Sequence, residues 1–225
     1  LNTNTSLGGV TMYVRNRMNT NVVTVTPDTP VTTVFNLMME HGYSQFPVVE
    51  GNELKGLITE RVLKDVSPSK ATSLSIFELN YLLSKTKVKD VMITDIITAS
   101  PDMLIEDAAV LLRSNVVGSL PVVSEDNQLV GIITRTDIID AFIEFLGTND
   151  HGTRISLEVK NEIGTFAKIA NIIKEHGINI HHVSNYDIDD NKCEMIIRLN
   201  TTDVEALVDS LKNEGYNIFS VVKKE

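Results

Sequence analysis

The sequence predicts a mixed α/β (α+β) chain in which a β-α-β-β-α unit occurs twice and is followed by one β-α-β-β-α-β unit. Three observations predict this: an internal repeat with an offset of 74 residues, a polar glycine-containing hinge after the second copy, and a different hydrophobic pattern beyond that hinge. The chain has 225 residues, which is long enough for more than one globular unit.

The internal repeat consists of three pairs of matching segments. These are residues 22–28 with 96–102, 46–49 with 120–123, and 56–59 with 131–134. The first two pairs have an offset of 74 and the third an offset of 75, so one residue is inserted in the turn between two strands, where insertions are tolerated. Each copy is too small to bury its sheet alone, so we expect the two copies to pack as a pseudo-symmetric pair.

Each copy begins with a β-branched strand that ends at Pro27 or Pro101. A helix with apolar residues at three- and four-residue spacing follows, then two apolar strands joined by a polar turn, and a second helix that opens at Glu60 or Arg135. The predicted boundaries are 1–11 for a vector remnant or disordered segment, 12–66 for the first repeat, 67–87 for a linker with a short helix, 88–146 for the second repeat, 147–152 for the hinge and 153–225 for the last unit.

Composition excludes several classes of function. Thirty acidic against 20 basic side chains give a net charge of −10, which argues against a nucleic-acid partner and against a polybasic membrane anchor. The sequence has no apolar run of about 18 residues that would span a membrane. A single cysteine, Cys193, fits a reducing compartment, so we expect a cytoplasmic protein.

The repeated segments resemble the tandem cystathionine-β-synthase (CBS) domain pair, often called a Bateman module, over about residues 12–146. The resemblance rests on the Pro-Val-Val strand, on the Gly-hydrophobic-hydrophobic-Thr strand end and, in the second repeat, on the run from Thr134 to Ile138. It implies a cleft between the two repeats that binds AMP, ADP, ATP or a cyclic dinucleotide as a regulatory ligand, with no cofactor. It also implies regulation rather than catalysis.

The resemblance implies a role for each cleft residue. Asp137 accepts both ribose hydroxyls, and the helix start supplies phosphate donors from Thr134, Arg135 and Thr136. The wall for the base is formed by Thr24, Val25, Tyr43, Ser44 and Ile132. The Thr134-x-x-Asp137 spacing also fits a helix capping box, which contributes about 1 kcal/mol without any ligand, and the two roles can coexist.

The first repeat departs from this pattern. Val62 stands where the ribose-binding carboxylate is expected, and a valine cannot accept hydroxyl hydrogen bonds. Glu60 adds negative charge close to any phosphate. We therefore expect the equivalent second cleft to be empty or weak and predict one good site per chain. The residues of that second cleft are Thr59, Thr98, Val117 and Ser119.

The second helix of the second repeat carries more apolar surface than one small sheet covers. Two interpretations stay open: core packing, or a dimer interface between modules. The residues concerned are Ile138, Ile139, Phe142, Ile143, Phe145 and Leu146.

Beyond the hinge, the strand and helix order is that of a ferredoxin-like unit, which resembles an ACT domain. Its matching segment runs from Asn161 to Phe166, where relatives often have Asp-x-Pro-Gly-x-Leu, and Gly164 is retained. The resemblance implies a small-effector site made by Asn161, Ile163, Gly164 and Thr165. The alternative is that Gly164 only makes a turn and that the unit only dimerises.

The sequence predicts neither a metal site nor an enzyme. His181 and His182 are neighbours on a predicted strand and point to opposite faces, so they cannot easily join His176 and Cys193 around one ion. The acidic turn near Asp189 lacks the glycine and distal glutamate of a calcium loop. The sequence contains no nucleophile elbow, Walker loop or dinucleotide fingerprint.

The domain order resembles that of the acetoin-utilisation (AcuB-type) bacterial proteins. This implies a sensor of adenine nucleotide, linked to acetoin or central carbon utilisation, that acts on a regulated protein which the sequence does not name. A homo-oligomer formed through CBS helices, ACT domains or both is also implied. The alternative function is a constitutive oligomeric scaffold whose clefts are vestigial.

Overall fold

The computed structural model describes residues 12–66 and 84–225. The expectations for residues 1–11 and for the 67–83 part of the linker lie outside these ranges. Contacts divide the chain into two units, the first ending at Ala141 and the second beginning at Phe142, so the boundary falls within the helix Arg135–Phe145, which is described here with the first unit.

The first unit contains two copies of one helix–hairpin–helix arrangement. Each hairpin is an antiparallel pair, and in each copy a helix starts directly where the second strand ends. The first copy comprises α1 (Val31–His41), β1 (Gln45–Glu50), β2 (Glu53–Thr59) and α2 (Glu60–Val66); the second comprises α3 (Ile105–Ser114), β3 (Ser119–Val123), β4 (Leu129–Thr134) and α4 (Arg135–Phe145).

The predicted first strand of each copy is reduced to a single parallel bridge. In the first copy, Val25 pairs with Val48 and exchanges hydrogen bonds with its neighbours Pro47 and Val49. The next bond of a parallel ladder needs an amide hydrogen on residue 27, which is a proline, so the ladder stops there. Ala99 and Val122 form the same single bridge in the second copy, again two residues before a proline.

The chain also crosses between the two copies. Residues 12–19 pack on the second repeat, where Asn19 and Ile132 exchange backbone hydrogen bonds of 2.9 and 3.0 Å. Residues 84–93 pack on the first repeat, where Ile93 and Leu57 exchange bonds of 2.9 Å in both directions. Each crossing approaches a glycine closely: a Cβ on Gly131 would lie 2.6 Å from the Sδ of Met18.

The turns of the two hairpins hold the copies together. The amide of Leu54 donates to the carbonyl of Asn127 at 3.1 Å, and the amide of Leu129 donates to the carbonyl of Asn52 at 2.9 Å. Val49, Leu54 and Leu129 form a buried cluster beside these bonds. The two repeats therefore pack as a pseudo-symmetric pair, as their sizes require.

The second unit is a ferredoxin-like fold with the strand order β6-β7-β5-β8 in one antiparallel sheet. Alternate residues of β5 and β7, including Ile155, Leu157 and Ile197, are buried in a core with residues of both helices on one face of the sheet. The elements are β5 (Gly152–Lys160), α5 (Thr165–Glu175), β6 (Ile180–Asp189), β7 (Lys192–Leu199), α6 (Glu205–Asn213) and β8 (Asn217–Lys224). The predicted fold class is confirmed for both units.

Candidate functional site

A cleft of about 280 Å³ lies between the two repeats of the first unit. Its lining combines residues from the crossing segment, from the first repeat and from the junction of β4 with α4. The lining residues are Asn19, Asn21, Val22, Val23, Gly42, Tyr43, Ser44, Gln45, Pro47, Ile132, Thr134 and Asp137.

Asp137 is fixed by a complete capping box at the start of α4. The backbone amide and the hydroxyl of Thr134 both donate to Oδ2 of Asp137 at 2.7 Å, and the amide of Asp137 donates to the hydroxyl of Thr134 at 3.3 Å. Over the part of the chain that is described, every hydrogen bond to this carboxylate ends on Oδ2. The box therefore orients the carboxylate while its other oxygen, Oδ1, keeps its full capacity to accept hydrogen bonds.

The walls of the cleft are largely apolar and include one aromatic ring. Val22, Val23 and Ile132 supply aliphatic surface. Tyr43 is 46% exposed and its ring stacks on that of His41, with 5.5 Å between the ring centroids. An apolar slot with an aromatic edge suits a flat heterocycle, and backbone groups beside it can supply hydrogen bonds.

The lining residues of the cleft include one charged side chain. The lining residues include no lysine or arginine, and Asp137 is the one carboxylate among them. The other polar side chains are neutral, and three of them already make hydrogen bonds. The Oδ1 of Asn19 accepts from the amide of Asn21 at 2.8 Å, the side-chain amide of Gln45 donates to Ser119, and the hydroxyl of Thr134 donates to Asp137. This lining offers hydrogen bonds to hydroxyl groups and to a neutral ring, and it offers little attraction to a multiply charged anion.

The structure brings five of the nine predicted first-cleft residues together, and these are Tyr43, Ser44, Ile132, Thr134 and Asp137. The other four are not in the lining. The Nε of Arg135 instead donates to the carbonyl of Val117 at 2.9 Å, and Thr136 is exposed to solvent. Val25 is buried in the core of the first repeat, where its backbone pairs with Val48, and Val22 and Val23 line the cleft in place of Thr24 and Val25.

Sequence reasoning missed the contribution of Asn19 and Asn21. The signal was present, because the repeat extends further upstream than residue 22: residues 14–18 (Val-Arg-Asn-Arg-Met) match residues 88–92 (Val-Lys-Asp-Val-Met) at the same offset of 74. That match indicates that the segment just before Asn19 belongs to the repeat and occupies equivalent positions in both copies. Gly42, Gln45 and Pro47 were also missed, although they flank residues that were predicted.

The residues predicted for a second cleft do not reproduce the arrangement around Asp137. The amide of Val62 donates to the hydroxyl of Thr59 at 3.3 Å, which is half of a capping box, and the valine cannot return a bond. Ser119 is buried, and its hydroxyl accepts from the side-chain amide of Gln45. Thr98 is half-buried. Weak or absent binding at this second cleft stays a prediction.

The loop predicted as an effector site in the second unit has a defined geometry. Gly164 has φ +89° and precedes α5, and a Cβ there would meet open space, so the glycine is required by the backbone rather than by a close approach. The hydroxyl of Thr165 donates to the carbonyl of Lys160 at 3.0 Å, Ile163 is fully exposed, and Asn161 is exposed as well. Three clefts of this unit are lined by other residues.

The histidines and the cysteine of the second unit have separate surroundings. His182 contacts the carboxylate of Asp150 at 2.9 Å, and His176 contacts the hydroxyl of Ser210 at 2.9 Å. Burial raises the pKa of the Cys193 thiol. Within residues 12–66 and 84–225, no group of three or more potential ligands is arranged to hold a metal ion, and no helix is both long and apolar enough to cross a bilayer.

Comparison with known families follows the division into units. The CBS domain family matches residues 14–68 and 88–144, and the ACT domain family matches residues 153–216. Domains of these two families are typically regulatory.

Relatives in sequence match through the CBS region. An inosine-5'-monophosphate dehydrogenase of Methanocaldococcus jannaschii is 38% identical over 120 residues, which is 52% of this chain and 21% of that protein. The chain therefore spans about a fifth of that dehydrogenase. The CBS domain-containing protein YhcV of Bacillus subtilis is 31% identical over 125 residues, which is 56% of this chain and 81% of YhcV.

Two solved structures have the same fold over the first unit. CBSX2 of Arabidopsis thaliana, solved in complex with AMP, is 28% identical with a TM-score of 0.50, covering 59% of this chain and 96% of CBSX2. A protein assigned to acetoin utilisation (AcuB) from Vibrio cholerae is 25% identical with a TM-score of 0.51, covering 62% of this chain and 96% of that one. The chain therefore belongs to the CBS-domain family, with two CBS domains in tandem followed by an ACT domain.

Proposed function

We propose that the chain is a non-catalytic regulatory sensor whose cleft binds the adenosine part of a nucleotide. The observation that carries the proposal is Asp137, whose Oδ2 is held by Thr134 while its Oδ1 has no hydrogen-bond partner among the described residues. The likeness to CBSX2, which was solved with AMP, supports it. The regulatory character of CBS and ACT domains supports the non-catalytic part.

In this proposal the ribose lies against the start of α4. Both hydroxyls of the ribose donate to the carboxylate of Asp137, and such charge-assisted bonds are stronger than neutral ones. The base lies in the slot formed by Val22, Val23 and Ile132, with Tyr43 at its edge. The capping box orients the carboxylate before the ligand arrives, so little ordering is needed on binding.

The charge of the cleft favours few phosphates. The lining has no lysine or arginine, and each added phosphate brings negative charge toward Asp137. The volume of about 280 Å³ suits one adenosine unit rather than two linked nucleotides. We therefore expect affinity to fall in the order AMP, ADP, ATP, with cyclic dinucleotides weaker than AMP.

Calorimetry with AMP on nucleotide-free protein tests the proposal. The wild type is expected to bind one equivalent per chain. In Asp137→Asn the amide oxygen can still accept from Thr134, but the NH₂ group then faces the ribose hydroxyls. Losing the charge-assisted bonds, worth about 1.5–3 kcal/mol each, should weaken AMP at least tenfold.

Asp140→Asn is the matched control, because Asp140 is an exposed carboxylate on the same helix that does not line the cleft. It should bind AMP as the wild type does. Equal affinity of wild type and Asp137→Asn would contradict the proposal. Absence of binding by AMP, ADP, ATP and cyclic di-AMP would leave Asp137 with its capping role only and would favour the scaffold alternative.

The remaining parts of the proposal concern assembly and context. The ACT domain supplies dimerisation or binds a small effector, and a protein partner reads the ligand state. The likeness to the acetoin-utilisation protein of Vibrio cholerae supports a role in acetoin or central carbon utilisation.

A further inference from the structure

The face of the ACT sheet that points away from the helices carries two arginines in directly opposite positions. Arg154 of β5 and Arg198 of β7 are cross-strand partners, and His182 of β6 is the next partner of Arg198. Their neighbours Ile155 and Ile197 are buried on the helix side, so the alternating arginines lie on the other side of the sheet. Like charges in directly opposite positions destabilise a sheet unless something neutralises them.

No carboxylate of the described chain neutralises either arginine. The one side-chain contact of Arg154 is a weak bond of 3.4 Å to the hydroxyl of Ser220. Some lysines of the same unit do have carboxylate partners: Lys192 lies 2.7 Å from Glu158, and Lys223 contacts Glu205. In a protein with a net charge of −10, two adjacent arginines without an ion pair to a carboxylate among the described residues form a local positive site.

The arginines separate two small clefts of about 190 and 130 Å³ that both include Arg154, Arg198 and Thr148. Lys224 lines the first cleft and donates to the carbonyl of Thr148 at 2.9 Å. Asp150 is the one carboxylate in either lining, and it contacts His182 at 2.9 Å. The walls therefore present several N–H donors around a space that fits a single anionic group with a small body.

We propose that Arg154 and Arg198 form a binding site for the oxyanion group, carboxylate or phosphate, of a small metabolite. Two guanidinium groups side by side offer planar forks that match the oxygens of either group in a bidentate manner. The anion would also remove the repulsion between the two arginines. The site is separate from the cleft at Asp137 and from the loop at Gly164, so it does not rest on the proposed nucleotide binding.

The test is a titration of the full chain followed by NMR on the arginine Nε–H signals. One arm uses inorganic phosphate and the other uses succinate, each at constant ionic strength maintained with chloride. We expect a saturable shift of the Arg154 and Arg198 signals with at least one probe. The probe with the higher affinity identifies the chemistry of the group. Arg198→Gln should weaken that probe at least tenfold.

Lys174→Ala is the matched control, since it removes one exposed cation from α5, on the covered side of the sheet. It should leave the titration unchanged. In anion-free buffer Arg198→Gln should melt at the same temperature as the wild type or higher, because repulsion is relieved, and this outcome separates a binding role from a structural one.

Three results would overturn the proposal. One is a shift linear in probe concentration with both probes, and another is an equal loss of affinity in Lys174→Ala. The third is a wild-type dimer that binds neither probe and dissociates in Arg198→Gln, since carboxylates of a second copy would then neutralise the arginines. Arg154→Gln repeats the measurement if Arg198→Gln does not fold.

Discussion

At the scale of single residues, comparison of the two repeats identifies one residue with a strained backbone conformation. Val116 has φ +56° and is 81% exposed, while Gly42, at the matching position of the first repeat, has φ +67°. A β-branched residue in the left-handed region is disfavoured, and no burial compensates for it here.

Val116→Gly is therefore expected to stabilise the first unit by about 0.5–1 kcal/mol, because relief of the left-handed conformation exceeds the entropy cost of glycine. Urea unfolding followed by circular dichroism measures the change. Val110→Gly, at an exposed position inside α3, should lower stability instead, since glycine is a poor helix former. A loss of stability in Val116→Gly would contradict this account.

The same scale shows what the sequence could predict of the site. Thr134 and Asp137 are three residues apart at a strand–helix junction, so local spacing determines their geometry. Arg135 lies between them, yet its direction is set by the carbonyl of Val117, 18 residues earlier in the chain. A long side chain at the first turn of a helix takes its position from such distant contacts, which sequence spacing does not contain.

At the scale of elements, Asp28 connects the turn before α1 to the segment at 84–93. Its carboxylate accepts from Lys87 at 2.8 Å and from Lys89 at 2.9 Å, and these bonds hold the pKa of Asp28 at about 2, below its ordinary value of 3.8. Because this pKa is lower in the folded state, the contact stabilises the protein above pH 3.8 and is lost as the pH falls toward 2.

Asp28→Asn should therefore lower the urea midpoint near neutral pH, and the gap from wild type should close as the pH falls from 3.8 to 2. The gap should also shrink in high salt, because the pair is exposed and screened. Urea unfolding at a series of pH values measures it. Asp126→Asn is the control, because it removes the charge of an exposed turn carboxylate that has no ion pair among the described residues.

The elements themselves were largely predictable. Periodicity predicted the helices and hairpins of both units, since local spacing of apolar residues reports which face is buried. It did not predict that the strands at Val25 and Ala99 would shorten to single bridges, because that depends on a proline meeting a partner strand. It also did not predict that residues 12–19 would pack on the second repeat, because that packing depends on contacts between residues that are far apart in the sequence.

At the scale of the whole molecule, α4 carries exposed apolar side chains that core packing does not explain. Ile138 is buried, whereas Ile139 is 57% and Phe145 is 51% exposed. Ile143 and Leu146 are exposed as well. We expect this helix to form the contact between two copies of the chain, because such a surface is costly in water.

Ile139→Glu should shift the protein toward monomer, as measured by light scattering coupled to size exclusion over a range of concentrations. Val110→Glu places the same charge at a similarly exposed apolar position on α3 and should leave the mass unchanged. A wild type that is monomeric at every concentration would contradict the expected contact.

The exchange of backbone bonds at Asn19 with Ile132 and at Ile93 with Leu57 has a practical consequence. If the chain were cut within residues 67–83, each of the two fragments would contain a segment, residues 12–19 or residues 84–93, whose backbone hydrogen-bond partners lie in the other fragment. Each fragment alone would lack some of the backbone hydrogen bonds of its hairpin. When the two fragments are mixed, we expect them to associate and restore these bonds. Asn19 and Ile132 also line the cleft at Asp137, so the AMP binding proposed for that cleft would depend on successful reassembly.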